Sequence, residues 1–131
     1  MTPSYDLIVR GGAVIDGTGA PPRPADVAVA DGRIAAVGDL AGAAAAREIA
    51  AAGKAVAPGF IDVHTHDDRA LLSNPDMAMK TSQGVTTVVV GNCGVSLSPL
   101  AIDRRPPPPL ELLGDHDWYR FPRMADYMAA V

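Results

Sequence analysis

One cysteine, Cys93, in 131 residues leaves no partner for an internal disulfide, so no cystine framework holds this chain together. Basic clusters are missing as well: the formal charge is −4, which gives no electrostatic footprint for nucleic acid. No apolar run approaches the roughly 20 residues of a membrane span. The opening Met1-Thr2-Pro3-Ser4-Tyr5-Asp6 lacks the basic start and apolar stretch of a secretory leader. A soluble, cytoplasmic protein is therefore expected, without nucleic-acid or membrane partners. Aromatics supply only 5% of the residues, while Ala, Val and Gly abound. Small side chains filling an interior suit a tightly layered α/β fold. With 48% hydrophobic residues the chain can build one ordinary core.

Residues 5–57 read as short strands joined by turns. Tyr5 to Arg10 is strand-like, and Gly11-Gly12 is expected to turn it toward Ala13-Val14-Ile15. Asp31-Gly32 between Asp26–Ala30 and Arg33–Val37 is the strongest hairpin signal, since both central residues of a type I′ turn need positive φ. Ala41 to Ala46 suggests a helical turn. Arg47 to Ala50 and Lys54 to Ala57 read as two further strands. The expectation is a small antiparallel sheet module.

The pattern changes over 58–131. Pro58-Gly59 punctuates the start of an apolar strand that ends in His64-Thr65-His66. Side chains alternate along a strand, so His64 and His66 share a face. Two neutral imidazoles there can hold one divalent metal. Asn74, Pro75 and Asp76 carry the marks of a helix start running to about Gln83, with Gly84 closing it. Val85 to Val90 is an unbroken β-branched run, as expected of a strand covered on both faces. Strand, helix and strand make a βαβ unit with parallel strands. Gly91-Asn92-Cys93-Gly94 then leaves at the same sheet end as the histidines, so three potential ligands converge. Arg104-Arg105 and the four prolines to Pro109 read as a stiff surface loop, and Met124 to Val131 as the opening of an amphipathic helix.

These residues resemble the amidohydrolase superfamily and, within it, the N-acyl-D-amino-acid deacylases, or D-aminoacylases. The general likeness lies in Tyr5–Gly12, Val14–Gly19, Asp31–Ile34 and Pro58–His66. The narrower likeness lies in Asp67-Asp68 and in Ser82–Leu100 with its Cys93. The resemblance implies a metal-dependent (β/α) TIM-type barrel preceded by a small β-sandwich, with 1–57 as the N-terminal share of that sandwich and 58–131 as the first βα units of the barrel. It implies Zn²⁺ as cofactor, in one tight site with a weaker second site. In that group the cysteine and two later histidines hold the tight metal, while the His-x-His pair serves the weaker one. The implied reaction is hydrolysis of N-acyl-D-amino acids to a carboxylate and a free D-amino acid, with an aspartate moving the proton. A barrel takes roughly 250 residues, so the chain reads as the front part of such an enzyme, inactive alone, its catalytic Asp expected beyond Val131.

Each site residue also has a plainer role. Cys93 alone would be a small buried hydrophobe. Asp62 is either a hydrogen-bonded interior carboxylate or a group that orients a ligand. Asp67 and Asp68 are loop carboxylates or helix-cap partners before they are chemistry, with Asp68 retained as a neighbour of the metal ligands. Asn92 either donates to substrate or caps its turn. His116, between two aspartates, reads as a solvated loop residue. Two other functions compete: a hydantoinase- or dihydroorotase-like cyclic amidase, which Cys93 disfavours, and a non-catalytic scaffold, which has no physical need for three convergent ligands. The oligomeric state is not legible.

Overall fold

The computed structural model describes residues 5–131; residues 1–4, read above for a leader, lie outside them. The chain divides into two compact units, Met1–Pro58 and Gly59–Val131. No helix among the described residues is long and apolar enough to cross a membrane.

The first unit is one five-stranded sheet built around β1 (Tyr5–Val14). Strands β2 (Arg23–Ala30) and β3 (Arg33–Gly38) follow it antiparallel, joined at Asp31 (φ 51°) and Gly32 (φ 69°), the expected type I′ geometry. On the other edge of β1 lie β4 (Ala45–Ala50) and β5 (Ala55–Val56), and both run parallel to it. The sheet is therefore mixed, not antiparallel as the sequence suggested. Local turn signals identify hairpins, but they cannot say on which edge a later strand docks. Ala41-Gly42 forms a plain turn instead of a helical one.

Gly11-Gly12 is likewise no turn, because β1 runs straight through it. The register with β2 shifts between Val9 and Gly12, a bulge that Gly11 permits with φ 69°. Asp26 accepts the freed Gly11 N–H at 2.7 Å and the Arg10 guanidinium at 3.2 Å. Arg10 also donates to Glu48 at 2.6 Å and to the carbonyls of Leu40 and Ala43. One half-buried cation thus ties three segments together. The Gly11 N–H, then Arg10, hold the Asp26 carboxyl below its usual range, and Arg10 does the same for Glu48.

In the second unit, β6 (Phe60–Thr65) pairs in parallel with β7 (Val85–Val90), with Phe60 opposite Val85 and Thr65 opposite Val90. The crossover holds two short helices, α1 (Asp68–Ser73) and α2 (Ala78–Thr81). Asn74 ends α1 and does not start a helix, and Met77 precedes α2 in the left-handed region. The Asn-Pro-Asp signal is a real break, but it closes one helix before opening the next. Phe60, Ile61 and Val63 are largely exposed and Val89 is 41% exposed, whereas Val85, Val88 and Val90 are half-buried, so the cover expected on both faces is incomplete.

The core of this unit lies in its later residues. Val95, Leu97, Leu113, Tyr119, Phe121 and Tyr127 form one buried cluster. The strand pair β8 (Leu100–Ala101) and β9 (Arg120–Phe121) brackets the proline loop, in which Pro106 is buried instead of surface-bound. Helix α3 (Met124–Met128) presents Tyr127, which meets Phe121 edge-on at 5.4 Å. Burial pushes the Tyr127 phenol up to about 12, so it remains a donor, and its hydroxyl bonds the Asp68 carbonyl at 3.0 Å.

Gly59→Ala is expected to lose about 1–3 kcal/mol of stability by overpacking. Its Cβ would stand 2.1 Å from Thr86 Oγ1, on the strand that β6 must pair with. Chemical denaturation followed by circular dichroism measures the loss. Arg10→Met is expected to destabilise the chain near neutrality and to converge with the parent in acid. Depressed Glu48 and Asp26 carboxyls add stability above their unfolded values of about 4, and that stability is lost as pH falls through their lowered folded values. Denaturation midpoints at about pH 7 and about pH 2.5 test it, and a gap independent of pH would refute the electrostatic account.

Candidate metal centre

Parallel pairing of β6 with β7 brings the C-terminal ends of both strands to one edge. His64 is the penultimate residue of β6, His66 follows one residue past Thr65, and Cys93 stands in the loop leaving β7. Their donor atoms all lie within 4.8 Å of one another. Cys93 Sγ is 3.5 Å from His66 Nε2 and 3.9 Å from Nδ1. Around one tetrahedral zinc, a sulfur at about 2.3 Å and a nitrogen at about 2.0–2.1 Å stand about 3.5 Å apart. The cysteine and second histidine are therefore spaced for a shared ion, and their soft-to-borderline donors suit zinc. His64 and Cys93 are exposed and His66 half-buried, so the edge is open to solute.

Gly91 (φ 75°) and Gly94 (φ 81°) shape the cysteine loop. Open space surrounds the position a Cβ would take at Gly94, so its backbone angle, and not a close approach, calls for glycine there. Asn92 Nδ2 donates to the Val63 carbonyl at 2.9 Å, tying this loop back to β6.

Beneath the ligands sits a charged group that the sequence did not flag. Lys80, from α2, reaches Asp62 at 2.6 Å, Asp67 at 3.0 Å and the Thr65 hydroxyl at 3.4 Å. Thr65 in turn donates to Asp67 at 2.5 Å. Asp62 thus faces an ammonium, and it accepts the His64 backbone N–H at 3.3 Å. The lysine pushes the Asp62 carboxyl below its usual range, while Asp62 and then Asp67 push the Lys80 ammonium up. Both charges persist through neutral pH. Lys80 carries no local signal, because its partners lie 13 and 18 residues away across the crossover.

Asp68, expected as a loop carboxylate or helix-cap partner, does not lie in a loop. It is the first residue of α1 and fully buried, accepting from the Ser96 hydroxyl at 2.6 Å and the Leu97 N–H at 3.1 Å. Its Oδ2 is buried without a partner. His116 stays apart from this cluster, exposed and 3.2 Å from Asp117.

The sequence profile of the amidohydrolase family matches residues 47–130. A D-aminoacylase of Alcaligenes xylosoxydans xylosoxydans is 56% identical over 127 residues, covering 97% of this chain and 26% of that protein. A solved D-aminoacylase, described as having a binuclear metal center, is 60% identical with a TM-score of 0.90, covering 96% of this chain and 26% of the other. The N-acyl-D-glutamate deacylase of Bordetella bronchiseptica was solved with zinc and a phosphonate mimic of the tetrahedral intermediate. It is 52% identical with a TM-score of 0.88, over the same shares of both chains. This chain thus spans 26% of the length of each of these relatives.

Cobalt(II) added to this chain is expected to give the near-ultraviolet absorption of a thiolate–metal bond. Cys93→Ser should abolish that band, and His66→Ala should weaken it at equal metal. A band of full intensity in the serine variant would place the metal elsewhere.

Proposed function

The chain belongs to the amidohydrolase family, and from that premise we propose that it supplies His64, His66 and Cys93 as metal ligands to a zinc-dependent hydrolase of N-acyl-D-amino acids. The observation that carries this is the approach of Cys93 to His66 at 3.5 Å, from loops of two different strands. A cysteine at the second strand end also separates this chain from hydantoinase-like enzymes. The fit of the site is chemical as well as geometric: one thiolate and two imidazoles form a mixed S/N donor set typical of zinc. We further propose that β6, its crossover and β7 form the first βα unit of a TIM-type barrel. The mixed sheet of the first unit is then the N-terminal share of a β-sandwich.

The residues present have distinct tasks. Cys93, as thiolate, brings the negative charge, while His64 and His66 bind through neutral nitrogens. Their position just past parallel strand ends is where barrel enzymes assemble chemistry. Lys80 pairs with both Asp62 and Asp67 beneath the site, and its single charge offsets one of the two carboxylates. A bound zinc would acidify water near neutrality and polarise the amide carbonyl. Asp62 is engaged by Lys80, and Asp68 is buried against the cysteine loop, so neither is assigned the proton transfer to the leaving amine. A small N-acyl amino acid is the proposed substrate, and the products are a carboxylate and a free D-amino acid.

The test is a chimera in which this chain replaces the matching segment of the Alcaligenes D-aminoacylase. It is expected to release amine from N-acetyl-D-methionine or N-acetyl-D-glutamate faster than from the L-forms or from a hydantoin. Cys93→Ala in the chimera should remove most zinc and activity, whereas His64→Ala should cost activity but leave part of the zinc. Faster hydantoin turnover would move the chain to the cyclic amidases. Stoichiometric zinc and normal rates without Cys93 would reduce the cysteine to packing.

A further inference from the structure

We infer that Asp68 and Asn92 act as a two-sided clamp that sets the distance between Cys93 and His66; both are positioning residues for the metal centre. The inference rests on the reading of Cys93 as a ligand. Among the described residues, the cysteine loop between Val90 and Leu97 makes no ladder hydrogen bonds with a neighbouring strand; an internal backbone bond runs from Gly94 N to Gly91 O at 3.0 Å. Two glycines with positive φ flank Asn92-Cys93, so the backbone alone does not hold the sulfur in place.

Side chains supply what the backbone lacks. Upstream of the cysteine, Asn92 Nδ2 bonds the carbonyl of Val63, the residue before His64. Downstream, the Ser96 hydroxyl and the Leu97 N–H both bond Asp68 Oδ1, two residues after His66. Each tie therefore joins the cysteine loop to the segment that carries the histidine pair. The far end is fixed, because Leu97 is fully buried in the core cluster and the Tyr127 hydroxyl bonds the Asp68 carbonyl.

The burial of Asp68 is costly for a packing residue. A fully covered carboxylate with one oxygen unpartnered loses solvation that two hydrogen bonds only partly replace. An apolar side chain would fill the same volume more cheaply, but it would leave the Leu97 N–H and the Ser96 hydroxyl unanswered. What the carboxylate adds is a fixed place for the cysteine loop.

The experiment uses this chain with cobalt(II) as the probe and, separately, metal-free with an aromatic disulfide reagent that labels its one thiol. Asp68→Ala and Asn92→Ala are each expected to weaken cobalt(II) binding about 10- to 100-fold, the effect of removing support from a metal ligand. Asp68→Asn keeps an acceptor oxygen for Ser96 and Leu97 and should restore most of the affinity. Leu113→Ala, from the same core, should lower stability yet leave cobalt(II) affinity unchanged while the chain stays folded. Parental affinity in folded Asp68→Ala and Asn92→Ala would overturn the clamp, as would an equal loss in Leu113→Ala. Should Asp68→Ala fail to fold, Ser96→Ala and Asn92→Ala decide in the same way. If the parent gives no thiolate–cobalt band, the ligand reading fails, and metal-free labelling still judges the clamp. Faster labelling of Cys93 in Asn92→Ala and Ser96→Ala upholds it, and an unchanged rate overturns it.

Discussion

Parallel pairing of β6 with β7 is the constraint on which the candidate site depends. Parallel strands end at the same edge, and a crossover must return the chain to the start before the second can form. Residues near 65 and near 92 therefore meet without any contact between them having to drive the approach. Gly59 allows the pairing to begin, since any Cβ there would collide with Thr86. Antiparallel pairing of the same strands would have sent Cys93 to the opposite end of the sheet from His66.

Two layers of polar contacts refine what the sheet makes roughly right. One is the ammonium of Lys80 between Asp62 and Asp67, which ties α2 under the end of β6. The other is the set of bonds from Asn92, Ser96 and Leu97 to the histidine segment. These layers differ in burial. Lys80 and its partners retain some exposure, so solvent screens their attraction and geometry is their main contribution. Asp68 is covered completely, so its hydrogen bonds act in a medium where losing one is expensive.

The convergence of His64, His66 and Cys93 was more legible in the sequence than the frame around it. His64 and His66 were legible because a two-residue period on a strand is a strong signal, and Cys93 because β-branched runs locate strand ends well. The hairpin at Asp31-Gly32 was legible for the reason that a two-residue turn has few solutions. What failed was anything set by distance along the chain. The parallel docking of β4 and β5 on β1 depends on which edge is free, and no local pattern records that. Gly11-Gly12 looked like a turn because a bulge and a turn use the same residue for the same φ. Asp68 looked like a loop carboxylate because its partners, Ser96 and Leu97, lie almost thirty residues downstream.

The mixed sheet of the first unit has a consequence for the order in which the chain can be assembled. β1 is made first, yet one of its edges is completed only by Ala45–Ala50 and Ala55–Val56. A nascent chain can close the β2–β3 hairpin early and lay it against one side of β1. The other side stays unpaired at Tyr5–Arg10 until β4 is made, and at Ala13 and Val14 until β5 follows. For that interval a strand made before its partners is left with one edge unfinished. Arg10 waits with it, since Glu48 and the carbonyls of Leu40 and Ala43 come only with the later segments. Asp26 reaches the half-buried cation early, with β2, but its remaining partners arrive only as the sheet closes.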